Sequence, residues 1–196
     1  MTPLALGGLL AAGLLTATEV FPMMTPNPSL SKIPDPGNGG TGPIDYGSSQ
    51  SIDPTDQVSA FLAVIRAGES SDNYRAIVYG GSFSSYDRHP GLLASGKLDP
   101  SFLPGKPSHA AGAYQFQPRT WLECARALNL TDFSPGSQDA AAIFLLKRRG
   151  AYEAIVNGDI RAACDLLKNE WQMFTLPRWR AEVVQSEFTD YGGKLA

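Results

Sequence analysis

Between Glu19 and Gln57 the chain carries seven prolines (22, 26, 28, 34, 36, 43 and 54) and five glycines (37, 39, 40, 42 and 47), with no apolar periodicity. Such a stretch cannot bury enough apolar surface to offset the entropy lost on ordering it. It divides the 196 residues into an apolar segment over 1–18, a Pro/Gly-rich linker over 19–54, and a folding domain over 55–196. The last part is of ordinary single-domain size. A flexible linker of this length has an end-to-end distance of roughly 30–40 Å, more where prolines stiffen it. A folded head could therefore search a polymer while its base stays fixed.

Charge is distributed unevenly along these parts. Residues 1–54 hold one base, Lys32, and four acids, Glu19, Asp35, Asp45 and Asp53, which leaves 15 bases and 15 acids in the remainder. A neutral domain lacks the basic surplus of a nucleic-acid binder. It suits a carbohydrate or a mixed-charge polymer. Segment 1–18 has no side-chain charge and is at or just under bilayer-spanning length. It lacks the basic n-region of an ordinary signal peptide. Gly8 and Ala12 give a small-xxx-small spacing suited to helix packing in lipid or against a protein. Export signal, membrane anchor and docking segment are the three roles this pattern allows. Cys124 and Cys164 are two buried thiols on helix faces or, in an oxidising compartment, one disulfide between helices. No His/Asp/Glu grouping has metal-ligand spacing, so neither metal nor cofactor is expected.

The domain reads as mainly α. Asp53-Pro54-Thr55-Asp56 is a helix start with a cap, a proline at the first position and an acid in the first turn. Val58, Phe61, Leu62 and Ile65 then recur at helical spacing, and Gly68 is a candidate stop that leaves Glu69 beyond the last turn. Residues 74–109 are rich in Gly, Ser, Tyr and Pro, and predict loops with a short hairpin around Ile77–Phe83. Pro118–Leu128 is expected as a helix burying Trp121, Ala125 and Leu128. Ser134-Pro135 caps another, running through Ala141, Leu145 and Leu146 to the Lys147-Arg148-Arg149-Gly150 ending. Asp159 caps a third, with Ile160, Ala163, Cys164, Leu167 and Trp171 on one face, and Pro177 starts a last helix that ends near Tyr191-Gly192-Gly193. The overall expectation is an α+β fold, mainly helical, with a small irregular β-containing lobe.

Glu69 carries the chemistry. Cleaving a glycosidic bond needs a proton on a poor leaving group, so a glutamate with an ordinary pKa of about 4.3 must have it raised. A helix C-terminus and partial burial against aromatic rings both disfavour the carboxylate. A small-residue and aromatic cluster, Ala110-Ala111-Gly112-Ala113-Tyr114-Gln115-Phe116, supplies a wall of the lysozyme type. No second obligatory carboxylate is evident. Asp72 and Asp87 are candidates, although Asp72 lies in a Ser-Ser-Asp-Asn run that suits a capped turn. With one carboxylate, a sugar hydroxyl already held in place can attack instead of water, at high effective concentration. The residues alone also allow Glu69 to be a solvated helix-end glutamate.

Over roughly Val58 to Asn169 the chain resembles the phage lambda-type endolysin family. The matching pieces are Glu69-Ser70-Ser71-Asp72-Asn73, Tyr79-Gly80-Gly81, Tyr86-Asp87-Arg88-His89-Pro90, Ala111-Gly112-Ala113-Tyr114-Gln115, Asp132-Phe133-Ser134-Pro135-Gly136-Ser137-Gln138-Asp139-Ala140 and Gly158-Asp159-Ile160-Arg161. The resemblance implies a lysozyme-like fold and a peptidoglycan lytic transglycosylase, which cuts the MurNAc–GlcNAc bond and leaves a 1,6-anhydromuramoyl end. It implies Glu69 as the catalytic residue and Gly112, Tyr114, Gln115, Tyr79 and Gly80 as substrate-binding positions. Bacterial peptidoglycan is then the partner, met at the host cell wall in the periplasm. Virion tail proteins or the inner membrane are the partners segment 1–18 would take. Two stretches depart from the family. The loop from Glu69 to Tyr79 is shorter, and relatives often carry Ser-Leu-Pro-Gly and Tyr-Gly-Gln where this chain has Met173-Phe174-Thr175-Leu176-Pro177-Arg178-Trp179.

Other aromatic and titratable residues have plainer readings. His89 suits a loop-stabilising hydrogen bond, Trp121 and Trp171 suit the core, and Trp179 between Arg178 and Arg180 is the candidate for an exposed aromatic touching sugar or a partner. A hydrolytic lysozyme of the same fold, or a glycan-binding virion component without catalysis, are the alternatives to a transglycosylase.

Overall fold

The computed structural model describes residues 54–196; segment 1–18, the linker before Pro54 and the expected Asp53 cap lie outside the described residues. Pro54 opens helix α1, Pro54–Ser70. Proline is tolerated there because the first helical N–H has no partner within the helix. Val58, Phe61, Leu62 and Ile65 are buried as their spacing predicts, and Gln57, Ala60 and Val64 are buried beside them. A helix buried on so much of its circumference is central, which a single-face reading does not anticipate. It packs against α3 (Pro135–Arg148), α4 (Tyr152–Val156), α6 (Ala181–Asp190) and a 3₁₀ turn, Gln172–Thr175. Phe61 stacks on Phe174 at 5.9 Å and meets Phe188 edge-on at 6.3 Å. Each such buried side chain contributes roughly 1.5–3 kcal/mol through removal from water. Gln57 is satisfied in this core: its side chain donates to Lys194 O (2.8 Å) and accepts from Lys194 N–H (2.7 Å), tying the C-terminal tail to α1.

Two further helices match their expected ranges and two are shorter than expected. Helix α2 is Pro118–Leu128; Trp121 and Cys124 are its buried residues, Ala125 is partly buried, and Leu128 is exposed rather than buried because it lies at the frayed end before Asn129 turns left-handed. In α3 the Ser134 hydroxyl accepts from Ser137 N–H, and Gly150 takes a positive φ of 73° just beyond the helix. Helix α5, Ile160–Leu167, is capped by Asp159, which accepts from Ala162 N–H at 3.1 Å. It ends four residues before Trp171, which is buried but extended, at φ −121°. Pro177 starts only a 3₁₀ turn, Pro177–Trp179; Arg180, with ψ 157°, interrupts the path and α6 begins at Ala181. Both cysteines are free and buried, so the disulfide alternative does not hold in this structure.

The irregular lobe, residues 71–117, is held by isolated bridges instead of a ladder: Ala76 with Ser82, Ile77 with Ala111, Leu92 with Leu98, and Ala111 with Phe116. The expected hairpin is thus one tight turn, with Ile77 N–H donating to Gly81 O and Tyr79, Gly80 and Gly81 all at positive φ. Phe133 anchors the lobe, packing edge-on to Trp121 at 4.6 Å and against Phe83, His89 and Phe116. His89 is fully buried: Nδ1 accepts from Gly91 N–H, which leaves the proton on Nε2 to donate to Phe116 O at 2.7 Å. Burial pushes its pKa down to about 4.

Candidate functional site

Glu69 lies within the last turn of α1, not beyond it. Gly68 does not stop the helix; its missing side chain makes room for a neighbour. A Cβ there would meet Met173 Cε at 2.5 Å and Trp179 Cζ2 at 3.1 Å. The helix is stopped instead by two successive left-handed residues, Ser71 (φ 55°) and Asp72 (φ 62°), while the Ser70 hydroxyl and Asp72 N–H both return to Arg66 O. Asp tolerates that geometry better than most residues, and Ser70 Oγ closes the turn by accepting from Asn73 N–H.

The side chain of Glu69 keeps an accessible edge while protein surrounds most of it. Burial pushes its pKa up to about 7, against the opposing pull of a hydrogen bond from Met173 N–H at 3.4 Å and the positive charge of Arg178. The group therefore keeps its proton to far higher pH than an ordinary glutamate, which is the condition for a general acid.

One turn back along α1, Arg66 ties the Glu69 end of the helix to the rest of the site. Its Nε donates to Asp72 at 2.6 Å and its Nη1 to the Tyr114 hydroxyl at 3.2 Å. That hydroxyl donates to Asp139 Oδ1 at 2.6 Å, which also accepts from Tyr74 at 2.7 Å. Burial, together with Asp139, raises the Tyr74 pKa to about 12 and that of Tyr114 further, so both phenols stay protonated donors. Asp72 is exposed and its carboxylate is engaged by Arg66.

Tyr114 has no exposed surface, so its ring belongs to the core and it can act on a glycan only through what it holds in place. Gly112 (φ 82°) needs to be glycine, since a Cβ would meet Gln138 Oε1 at 2.3 Å. Gln138, fully buried, accepts from Ala113 N–H and donates to the carbonyls of Phe133 and Tyr74. Gln115 stands at φ 50°, donates from Nε2 to Gly112 O, and keeps a buried Oε1 with no hydrogen-bond partner in the described protein. Tyr79 is 46% exposed at the tip of its turn with Gly80 beside it, and Lys106 Nζ lies 5.5 Å from its ring.

The wall formed by residues 171–180 completes the arrangement. Trp171 Nε1 donates to Tyr114 O at 3.1 Å, Met173 N–H reaches Glu69, and Trp179 packs beside Gly68. Trp179 is only partly exposed and packs on the core, with its Nε1 buried and unpartnered in the described protein, so it is not the free surface aromatic its flanking arginines suggest. Arg66, Tyr74, Gln138, Asp139, Met173 and Arg178 were not distinguished by sequence reasoning. Only Gln138, a polar residue within an apolar helix face, carried a local signal. No group of three or more His, Cys, Asp or Glu among the described residues could hold a metal ion. None of the described helices is long and apolar enough to cross a membrane.

Known proteins match this frame closely. The chain superposes on bacteriophage lambda lysozyme with a TM-score of 0.61 at 33% identity, covering 72% of this chain and 97% of that one. It superposes on the same enzyme complexed with a chitohexasaccharide with a TM-score of 0.60 at 35% identity and the same coverage of both chains. The fold is therefore lysozyme-like, as the motif resemblance implied. The family model described as Endolysin matches residues 59–191. The endolysin of Escherichia phage lambda is 35% identical over 160 residues, 74% of this chain and 96% of that protein; the endolysin of Escherichia phage P2 is 34% identical over 128 residues, 58% and 76% respectively. The chain belongs to the endolysin family, the lysozyme-like, peptidoglycan-degrading enzymes of bacteriophages.

Proposed function

We propose that this enzyme is a lytic transglycosylase in which Glu69 is the sole acid and base. The observation that carries the reading is the setting of Glu69: a carboxyl group raised to about 7 by burial, on which the acting charge is Arg178 and not a second carboxylate. A retaining hydrolase places two carboxyl groups about 5–5.5 Å apart, which would repel one another and show in the titration of both. Asp72, the nearest candidate in sequence, is held in an ion pair with Arg66. In the proposed reaction Glu69 protonates the glycosidic oxygen between the MurNAc and GlcNAc units and the bond to the MurNAc anomeric carbon breaks. The 6-hydroxyl of that MurNAc then attacks the same carbon, giving up its proton to the Glu69 carboxylate, so the acid is regenerated and a 1,6-anhydro ring forms. No water is consumed.

Gln115, Tyr79 and Gly80 are the residues that would line the glycan path, while buried Gly112 would shape it only through the backbone turn it permits. Tyr114 would hold the Gly112–Gln115 segment against the end of α1. Replacement of Glu69 by Gln keeps shape and loses the proton; clearance of peptidoglycan suspensions is expected to fall about 10³-fold or more. Unchanged clearance would show that this residue is not the acid and would move weight to glycan binding without catalysis.

The linker and segment 1–18 would carry this head to the host cell wall, by export or as part of a virion. A reporter fused after residue 30 separates the two: retention in the cytoplasm away from membranes counts against export and favours virion docking.

A further inference from the structure

The geometry points to Arg178 as a specificity-determining residue, a subsite for a carboxylate borne by the glycan strand, through which the enzyme prefers anionic peptidoglycan to a neutral β-1,4-linked polymer of N-acetylglucosamine. The inference rests on the cleft beside Glu69 being the glycan site. Arg178 sits on the Pro177–Trp179 turn, exposed, and makes no ion pair among the described residues, whereas its neighbour Arg180 lies 3.9 Å from Glu182. The turn is pressed onto the end of α1: Trp179 packs against Gly68, and the preceding turn supplies Met173 N–H to Glu69. An exposed cation without an ion pair, on a short turn packed against the end of α1 and close enough for its charge to act on Glu69, is available to an anionic oxygen of the substrate.

Pairing would also act on the acid. Burial raises the Glu69 pKa, and the Arg178 charge opposes it, with no other side-chain charge contributing. A substrate carboxylate on Arg178 neutralises that opposing field, so Glu69 keeps its proton to higher pH when anionic strands are bound than when neutral ones are.

Two chemical sources can supply the carboxylate: the stem peptide, or the lactyl group of muramic acid once the peptide is removed. The test uses the full chain with Glu69→Gln, which prevents cleavage, with and without Arg178→Gln. Affinities are measured for three probes: soluble glycan strands with stem peptides, the same strands stripped by an amidase, and chitohexaose. Loss of Arg178 is expected to weaken one or both anionic probes about 3- to 10-fold at low salt, to flatten their salt dependence, and to leave chitohexaose within about 2-fold. Weakening confined to the stem-bearing strands assigns the peptide, and weakening of the stripped strands assigns the lactyl group. Equal weakening of all three probes would mean a structural role and overturn the inference, as would no change in any. If the parent Glu69→Gln chain binds no probe, the glycan-cleft reading itself falls.

Discussion

The two halves of α1 are held by different forces. From Val58 to Ile65 the helix is fixed by apolar burial on several sides, with Phe61 between Phe174 and Phe188. From Arg66 to Ser70 it is fixed by ions, hydrogen bonds and the absence of a side chain at Gly68. The first half tolerates no polar group that lacks a partner. The second presents a carboxylic acid that is costly to ionise, and its neighbours hold it in place without neutralising it. A rigid apolar half allows a half that buries a carboxyl group to persist, because the last turn of a helix cannot move far from the turns before it.

That contrast is broken most completely at either end. Phe61→Ala, on the apolar side, is expected to cost about 3–5 kcal/mol in denaturant unfolding while leaving the rate per folded molecule close to that of the parent. A large fall in specific activity at full folding would show that the halves are not separable. Glu69→Gln should do the reverse, with activity lost and the fold retained.

Stability against pH sharpens the comparison. For Glu69 the folded pKa of about 7 lies above the ordinary value of 4.5, so its contribution is fully present below pH 4.5 and is lost as pH rises through 7. At about 1.4 kcal/mol per pH unit, discounted for its accessible edge, Glu69→Gln should gain about 1–3 kcal/mol over the parent at pH 8 and little at pH 4.5. His89 acts in the opposite window. Its folded pKa of about 4 lies below 6.5, so its contribution is fully present above pH 6.5 and is lost as pH falls through 4. His89→Gln should flatten the stability slope between pH 6.5 and 4 by up to about 3 kcal/mol while leaving the alkaline side as it was. Equal slopes in parent and variant would show that folding does not lower the His89 pKa.

The smallest expected effect is at the polar junction. Tyr114→Phe keeps the buried ring and removes the hydroxyl shared by Arg66 and Asp139, at a cost of about 1–2 kcal/mol. If the junction positions the end of α1, kcat should fall with KM nearly unchanged. A stability loss with intact kcat would make it merely structural.

The same division explains what could be read from the residues. The apolar half of α1, the Pro118–Leu128 helix, the Ser134 cap and the Asp159 cap follow from periodicity and capping, which act over four residues or fewer. Helix α4 escaped because five residues hold no period. Gly68 was misread as a stop because a glycine needed for close approach and one needed for positive φ look alike in sequence. The Arg66–Tyr114–Asp139–Tyr74 junction joins residues 48, 25 and 65 positions apart, so no local pattern could announce it. The family motifs name Glu69 and Gly112 as candidates, but not Met173, whose N–H reaches Glu69, or Arg178, whose charge acts on it, because both lie outside those motifs.

The central claim is that one buried carboxyl group suffices. Mass spectrometry of the muropeptides that the full chain releases from purified peptidoglycan tests it directly. Products lighter by one water than their hydrolysed counterparts, ending in 1,6-anhydromuramic acid, are the result expected of Glu69 acting alone. Hydrated reducing ends would contradict the claim and require a second carboxylate, with Asp72 or Asp87 as its source.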